Sequence, residues 1–450
     1  MKIHFIAIGG SVMHQLAIAL LNKGYEITGS DDDIFEPAAS HLKNAGILPE
    51  KFGWFPEKIT TETDAVILGM HARSDNPELE KALDLELPVY SFPEYIYKES
   101  IAKKRVAIGG SHGKTTITSM VMHILKYAQI DFDYLVGARL KGFDQSVRIT
   151  DAPIIVCEAD EYPASAIERK PKFHFLFPHI AVLSGIAWDH INVFPTFENY
   201  LDQFRIFIRK IESRGILIYN SGDETLRQLV ENTARDDIKY IPYQTPQYEI
   251  KEGKTILKVG DRIATLNVFG EHNLLNIKAA YLVCQQLGIS DEVFMNAISS
   301  FEGAAKRLEI IYNNNGTIVF RDFAHAPSKV KASVQAVKNQ FPDKKLVAVF
   351  ELHTFSSLND EFMVEYNGAL EQADVAIVYY SKHALEIKRM AEPQKQKVLD
   401  GFGKENLIIA TNKTELQHIL EKTNTHETNF LFMSSGNYDA IDILKSLRLS

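Results

Sequence analysis

Gly109-Gly110-Ser111-His112-Gly113-Lys114-Thr115-Thr116 follows the apolar run Val106–Ile108 and opens a segment with helical spacing from about Lys114 to Tyr127. A glycine-rich turn between strand and helix lets backbone N–H groups close on phosphate oxygens, and the helix start adds partial positive charge. Lys114 can reach terminal phosphates, and the Thr115 hydroxyl can ligate Mg²⁺. The strict form of this loop has a further glycine five residues before Gly113. That position is Ile108, so the loop is a shortened variant. An ordinary glycine-rich turn has no need of Gly-Lys-Thr-Thr at a helix start, and the segment reads as a nucleoside triphosphate site.

Outward from this loop, strands alternate with helices in both directions. Ile3–Ile8 reads as a buried strand, Gly9-Gly10 breaks it, and Met13, Leu16, Ala17, Leu20 and Leu21 recur at helical spacing. Tyr25–Gly29, Ala65–Leu68 and Pro88–Tyr90 continue the pattern, and the charged stretch Lys98–Arg105 reads as a linker. Beyond the loop, Ile154–Cys157 and Ile180–Leu183 fit the same sheet. Residues 215–270 read as β-rich, with strands at Thr255–Val259 and Ile263–Val268, and Asn273–Leu287 is a helix. Ile318–Phe320, Leu346–Phe350, Val375–Val378, Leu407–Ile409 and Asn429–Met433 complete the strands. The expectation is an α/β protein of three domains, 1–98, 99–304 and 305–450, with parallel sheets covered on both faces.

Acidic residues outnumber basic ones, 58 to 49, which disfavours broad nucleic-acid binding. Cys157 and Cys284 are the two cysteines, with neither zinc nor redox spacing. Met1-Lys2-Ile3-His4-Phe5 lacks a signal-peptide layout, and the most apolar stretch, Phe173–Trp188, is too short and polar to span a bilayer. A cytoplasmic protein with no membrane partner is expected.

The first strand–helix turn is weaker as a dinucleotide fingerprint. Its three glycine positions hold Ala7, Gly9 and Val12, while Asp31 lies where an acidic residue would meet a ribose. That turn suits the diphosphate of a nucleotide-linked substrate better than a redox cofactor. Glu158-Ala159-Asp160-Glu161 and Trp188-Asp189-His190 stand at the ends of two strands beside the phosphate loop, where ligands of open parallel sheets bind. Glu158 is placed there for a metal or its water.

Taken with these sites, the chain resembles the Mur ligases, which build the peptide stem of peptidoglycan. Gly110–Thr116 resembles the family phosphate loop, Glu158–Tyr162 and Asp189-His190 its magnesium-binding carboxylate and histidine, and Gly270-Glu271-His272-Asn273-Leu274-Leu275-Asn276 its adenine-side element. Lys306-Arg307-Leu308-Glu309 and Asp322-Phe323-Ala324-His325-Ala326-Pro327 resemble the hinge arginine and a following aspartate motif. The resemblance implies a Rossmann-like UDP-binding domain, a central ATPase domain and a Rossmann-like third domain. It assigns ATP to Gly110, Ser111, His112, Gly113, Lys114, Thr115, Thr116, Asn273, Asn276, Arg307 and Asp322. Mg²⁺ falls to Thr115, Glu158 and His190, and UDP-N-acetylmuramate to Gly9, Gly10, Ser30, Asp31 and His71. Catalytic roles fall to Lys114, His190, Arg307 and His353.

Within the family, Thr28-Gly29-Ser30-Asp31 and Asn76-Pro77-Glu78 resemble ligases acting directly on UDP-N-acetylmuramate. The carbamylated lysine of other members is missing, since Phe204 lies 14 residues past His190 and Lys210 is the nearest lysine. Two kinds of ligase remain, one adding L-alanine and one, in recycling, adding L-Ala-γ-D-Glu-meso-diaminopimelate. Alanine ligases carry two arginines where Glu351-Leu352-His353-Thr354-Phe355-Ser356-Ser357 has Thr354 and Ser357, although His353 matches their histidine. Gly69-Met70-His71-Ala72-Arg73 is also similar to the recycling ligases. A free amino acid would lose two charge-assisted carboxylate contacts, so tripeptide addition is favoured. A P-loop switch or motor ATPase without ligated product, and an NAD-dependent enzyme built on the first domain, are the readings from other classes.

Overall fold

The computed structural model describes residues 1–450 except 71, 138–139, 141, 165–169, 189–192, 304–306 and 450, and except the side chains of 383 and 387. Cα packing divides the chain into two compact units. The first holds Met1–Gln244 and Leu275–Ala297, the second Thr245–Leu274 and Ile298–Ser450.

In the first unit, β1 (Lys2–Ile6), β2 (Glu26–Ser30), β3 (Ala65–Leu68) and β4 (Val89–Ser91) form a parallel sheet in the order β2-β1-β3-β4. The chain leaves β1 to one side for β2 and returns to the other for β3, so the order reverses at the end of β1. There Ala7 takes φ 65° and donates its N–H to Ser30 O, as does Ile8. A dinucleotide fingerprint has its first glycine at this position. The left-handed conformation is kept here by a residue with a Cβ, which explains why the glycine pattern alone misleads.

The central sheet is β5 (Lys104–Gly109), β6 (Asp133–Leu135), β7 (Val147–Arg148), β8 (Ile154–Glu158), β9 (Ile180–Leu183), β10 (Ile216–Asn220) and β11 (Lys239–Tyr243). Its order is β11-β10-β9-β5-β8-β6-β7, parallel throughout except β6 with β7. Val106, Ala107 and Ile108 are 0–1% exposed because β5 is covered on both faces, which is why it reads as an unbroken apolar run. The helix Lys114–Tyr127 buries Ile117, Met120, Val121, Ile124 and Leu125. β10 and β11 fall within the stretch read as β-rich, yet they extend this parallel sheet. The antiparallel strands of that stretch are β12 (Tyr248–Lys251), β13 (Lys254–Val259) and β14 (Arg262–Leu266), a separate sheet in the second unit.

The rest of the second unit is a sheet of β15 (Glu309–Asn314), β16 (Thr317–Asp322), β17 (Lys345–Glu351), β18 (Val375–Tyr379), β19 (Ile408–Ala410) and β20 (Thr428–Met433). The order β15-β16-β20-β17-β18-β19 is parallel apart from the β15–β16 hairpin. Among the described residues, no helix is long and apolar enough to cross a membrane.

The linker expected at Lys98–Arg105 is not one. The helix Phe92–Ser100 runs into it, and β5 begins at Lys104. Two of its charges are buried and fully engaged. Lys103 Nζ donates to Asp133 Oδ2 at 2.8 Å and to the carbonyls of Thr150 and Ala152, while Arg105 reaches Glu212 and the carbonyls of Ser100, Ile101 and Phe177. Charge density alone cannot distinguish solvated from paired cations. Removing one partner of a buried pair strands the other, at a cost of about 3 kcal/mol or more. Lys103→Met is therefore expected to destabilise the first unit by about 3 kcal/mol in denaturant unfolding, because Asp133 is 0% exposed.

Candidate active site

The turn after β5 sits where the central sheet changes direction, between β8 and β9, the position at which open α/β sheets bind ligands. Gly110 (φ 118°) and Gly113 (φ 73°) both adopt left-handed backbone. A Cβ at Gly110 would lie 2.8 Å from Ser184 N, and one at Gly113 would overlap Asn276 Oδ1. Both glycines are thus required for conformation and for closeness. Ser111 Oγ pairs with Tyr200 OH at 2.9 Å and accepts from Ala187 N, and His112 O accepts from Ser184 Oγ. The loop is held from the β9 side, and Thr116 is buried behind it.

Two carboxylates from the end of β8 receive the loop's functional side chains. Lys114 Nζ donates to Glu161 Oε2 at 2.6 Å and to Gly110 O at 2.8 Å. Burial opposes its charge, but Glu161, then Asp160 and Glu158, outweigh that and raise its pKa, so Lys114 is a held cation. Thr115 Oγ1 donates to Glu158 Oε1 at 2.8 Å, while Glu158 Oε2 accepts from Gly137 N at 2.9 Å.

Gly137 also lines two cavities of the first unit. A cleft of about 570 Å³ opens beside Gly9, Gly10, His14, Asp31 and His41. A smaller one of about 70 Å³ is walled by Val12, Phe92, Leu135, Glu158 and Lys172. Asp31 Oδ2 accepts from Gly9 N at 2.7 Å, fixing the first turn, and burial raises its carboxyl to about 6. Ser30, expected at this site, does not line the cleft. It is 0% exposed and its hydroxyl accepts from Lys58 Nζ at 3.1 Å, because its inward strand position points it into the sheet's packing.

Within the second unit, Asp322 ends β16 and accepts from Leu308 N at 3.1 Å and from Ser333 Oγ. It thereby anchors the residue after Arg307, whose guanidinium stacks 5.0 Å over Phe323. Asn273 is buried and donates to Phe269 O. His353 Nδ1 stands 3.8 Å from Glu351 Oε1 past the end of β17. Thr354 and Ser357 close a local turn, Ser357 N donating to Thr354 Oγ1 and Ser357 Oγ to Thr354 O, both 3.0 Å. His71 and His190 lie outside the described residues.

Residues 2–103, 108–284 and 306–436 match, in turn, the models described as Mur ligase family, catalytic domain; Mur ligase middle domain; and Mur ligase, glutamate ligase domain. A UDP-N-acetylmuramate--L-alanine ligase of Sulfurihydrogenibium sp. is 31% identical over 93% of this chain and 91% of its own length. The ligase of the same name from Clostridium kluyveri is 33% identical over 84% and 82%.

The chain belongs to the Mur ligase family.

Solved structures share its fold. A murein peptide ligase, Mpl, from Psychrobacter arcticus has a TM-score of 0.63 at 22% identity, covering 99% of this chain and 98% of its own. The UDP-N-acetylmuramate-alanine ligase MurC of Thermotoga maritima has a TM-score of 0.67 at 24% identity, covering 100% and 97%. Like its family, this Mur ligase is an ATP-dependent ligase.

The oxygens that Thr115 and Glu158 bring together fit Mg²⁺, a hard cation that takes few protein oxygens and completes its shell with phosphate and water. No cluster of three acidic, histidine or cysteine ligands exists among the described residues, and such a site does not require one. Several partners were not legible in the sequence. Glu161 was visible only as part of an acidic cluster, and nothing local marks Tyr200, Gly137 or Lys172, which arrive from other elements. Gly113→Ala is expected to weaken binding of a non-hydrolysable ATP analogue by roughly tenfold. Titration calorimetry checks this, and unchanged affinity would show that the left-handed turn is dispensable.

Proposed function

We propose that this Mur ligase joins the lactyl carboxylate of UDP-N-acetylmuramate to the amine of L-alanyl-γ-D-glutamyl-meso-diaminopimelate in the cytoplasm, through an acyl phosphate formed with ATP. The observation that carries the reading is the Glu158 carboxylate, bonded on one oxygen to Thr115 of the phosphate loop and on the other to Gly137 of the cleft. One side chain thus marks where the terminal phosphate and the donor's carboxylate would meet. The domains follow as 1–98 for the UDP sugar, 99–304 for ATP and 305–450 for the amine.

A carboxylate is a poor acyl donor because oxide would have to leave. Transfer of the γ-phosphoryl group to it creates a leaving group, provided that the repulsion between the two anions is screened. Gly110–Thr116 would cradle the phosphates, with Asn276 packed on Gly113 and Lys114 moving from Glu161 to a phosphate oxygen. Thr115 and Glu158, with His190, would hold Mg²⁺, which supplies further screening. Arg307, anchored through Asp322, and Asn273 complete the nucleotide set. Gly9, Gly10 and Asp31, with His71, serve the donor's UDP, and the smaller cavity beside Glu158 and Lys172 suits the end bearing the carboxylate.

The amine is inferred from the third domain. Thr354 and Ser357 spend their hydroxyls on their own turn and offer no cation to a free amino acid. Exposed Phe355, with Lys388 Nζ 5.6 Å from its ring centre, offers surface and charge to a longer, carboxylate-bearing acceptor. L-Alanine is the second reading, favoured by the names of the relatives at 31% and 33% identity.

A panel of L-alanine and di-, tri- and tetrapeptides, read by phosphate release and product mass, decides between them. Tripeptide is expected to give the highest kcat/KM, and a preference for L-alanine would overturn that choice. Lys114→Ala is expected to abolish ADP formation, and unchanged turnover would remove the assigned site. Deprotonated Asp31 accepts the Gly9 N–H and, in this reading, a ribose hydroxyl. Donor affinity is therefore expected to rise as pH passes upward through about 6, and Asp31→Asn to flatten that rise.

A further inference from the structure

We propose that Glu351 is a positioning residue that holds His353 as the proton acceptor for the incoming amine. The inference rests on the ligase reading above and concerns the step after the acyl phosphate.

Glu351 closes β17, flanked by β20 and β18 in the interior of the sheet. It is 2% exposed. Its Oε2 accepts from Ser434 Oγ and from Tyr438 N at 3.0 Å, while Oε1 faces His353 Nδ1 at 3.8 Å. Gly436 closes the pair from the other side, for a Cβ there would come 2.6 Å from His353 Nδ1 and 2.8 Å from Glu351 Oε2. Its N–H donates to Ser434 Oγ, so the chain of bonds runs from Gly436 through Ser434 to Glu351.

The segment supplying Tyr438 N is strained. Tyr438, Asp439 and Ala440 all take left-handed φ, 52°, 52° and 55°. Non-glycine residues persist in that region only where surrounding contacts over-determine them, and such strain gathers at functional sites. Here the turn aims Tyr438 N at Glu351 and brings Asp439 Oδ2 to Tyr379 OH at 2.5 Å.

A glutamine at position 351 would satisfy Ser434 and Tyr438 equally well. A buried carboxylate is costly without a cation; Lys388 acts on Glu351 as one, and an imidazolium at His353, 3.8 Å away, would be a second. Burial, and then Lys388, lower the His353 pKa against the opposing pull of Asp439, leaving a neutral imidazole. Burial raises the Glu351 carboxyl.

In this step Nδ1 carries the hydrogen on the Glu351 side, closing the 3.8 Å separation, and His353 presents the Nε2 lone pair. An N–H bond of the acceptor's ammonium breaks and its proton moves to Nε2. The freed nitrogen pair forms the C–N bond at the acyl phosphate carbon, the C–O bond to phosphate breaks with its electrons on phosphate, and the second N–H proton passes from the tetrahedral nitrogen to the departing phosphate, leaving the neutral amide. Glu351 stabilises the imidazolium until water takes the proton.

Hydroxylamine tests this, being already a free base at neutral pH and needing no proton acceptor. With ATP, Mg²⁺ and UDP-N-acetylmuramate, Glu351→Gln and His353→Ala are expected to lose about a hundredfold in peptide ligation. Both are expected to form hydroxamate within about threefold of the wild-type rate. Equal loss of both activities, or undiminished peptide ligation, would overturn the proposal. Wild-type enzyme that makes no hydroxamate would instead overturn the proposed acyl phosphate of UDP-N-acetylmuramate, and this step with it.

Discussion

The carboxylate of Glu158 is the constraint on which the first unit turns. A carboxylate has two oxygens, and here they are given to different structures, the phosphate loop through Thr115 and the cleft wall through Gly137. Neither donor could move far without stranding a charged acceptor. The arrangement places the Glu158 carboxylate beside the helix start, where phosphates are best received. Lys114 is restrained in the same manner by Glu161 from the same strand end. Two carboxylates from one strand end thus hold the two polar side chains that follow Gly113.

The first and central sheets present their candidate groups where strand order reverses. The first does so after β1, at Gly9 and Gly10, and the central sheet after β5, at Gly110–Thr116, whereas Glu351 and His353 follow β17, from which the chain runs on to β18 and β19 before returning to β20. At such points neighbouring connections depart to opposite sides and leave a crevice lined by loop backbone and strand-end side chains.

Buried charge distinguishes this protein's packing from what its composition suggests. Lys103, Arg105, Asp133, Glu161 and Glu351 are each 7% exposed or less, and each is engaged by partners brought from distant segments. Read along the chain, Lys103 and Arg105 belong to a basic, linker-like run. In the fold they tie the start of β5 to β6 and to the segments that precede β8 and β9. Ser30 is the converse, a polar residue in a motif-like position whose hydroxyl goes to Lys58.

Local spacing by itself determined the phosphate loop, the helix Lys114–Tyr127, the strands Ala65–Leu68 and Ile180–Leu183, and the α/β class. Those features arise from contacts within a few residues, such as glycine conformation, helix periodicity and unbroken apolar runs. Only the tertiary structure decided that β10 and β11 extend the central sheet and that Ala7 carries a left-handed turn. It also decided that Lys114 answers to Glu161, Thr115 to Glu158, and Glu351 to Ser434. Pairings such as Glu351 with Ser434 depend on which strands lie side by side, and sheet order is set by long-range packing that no short window of sequence contains.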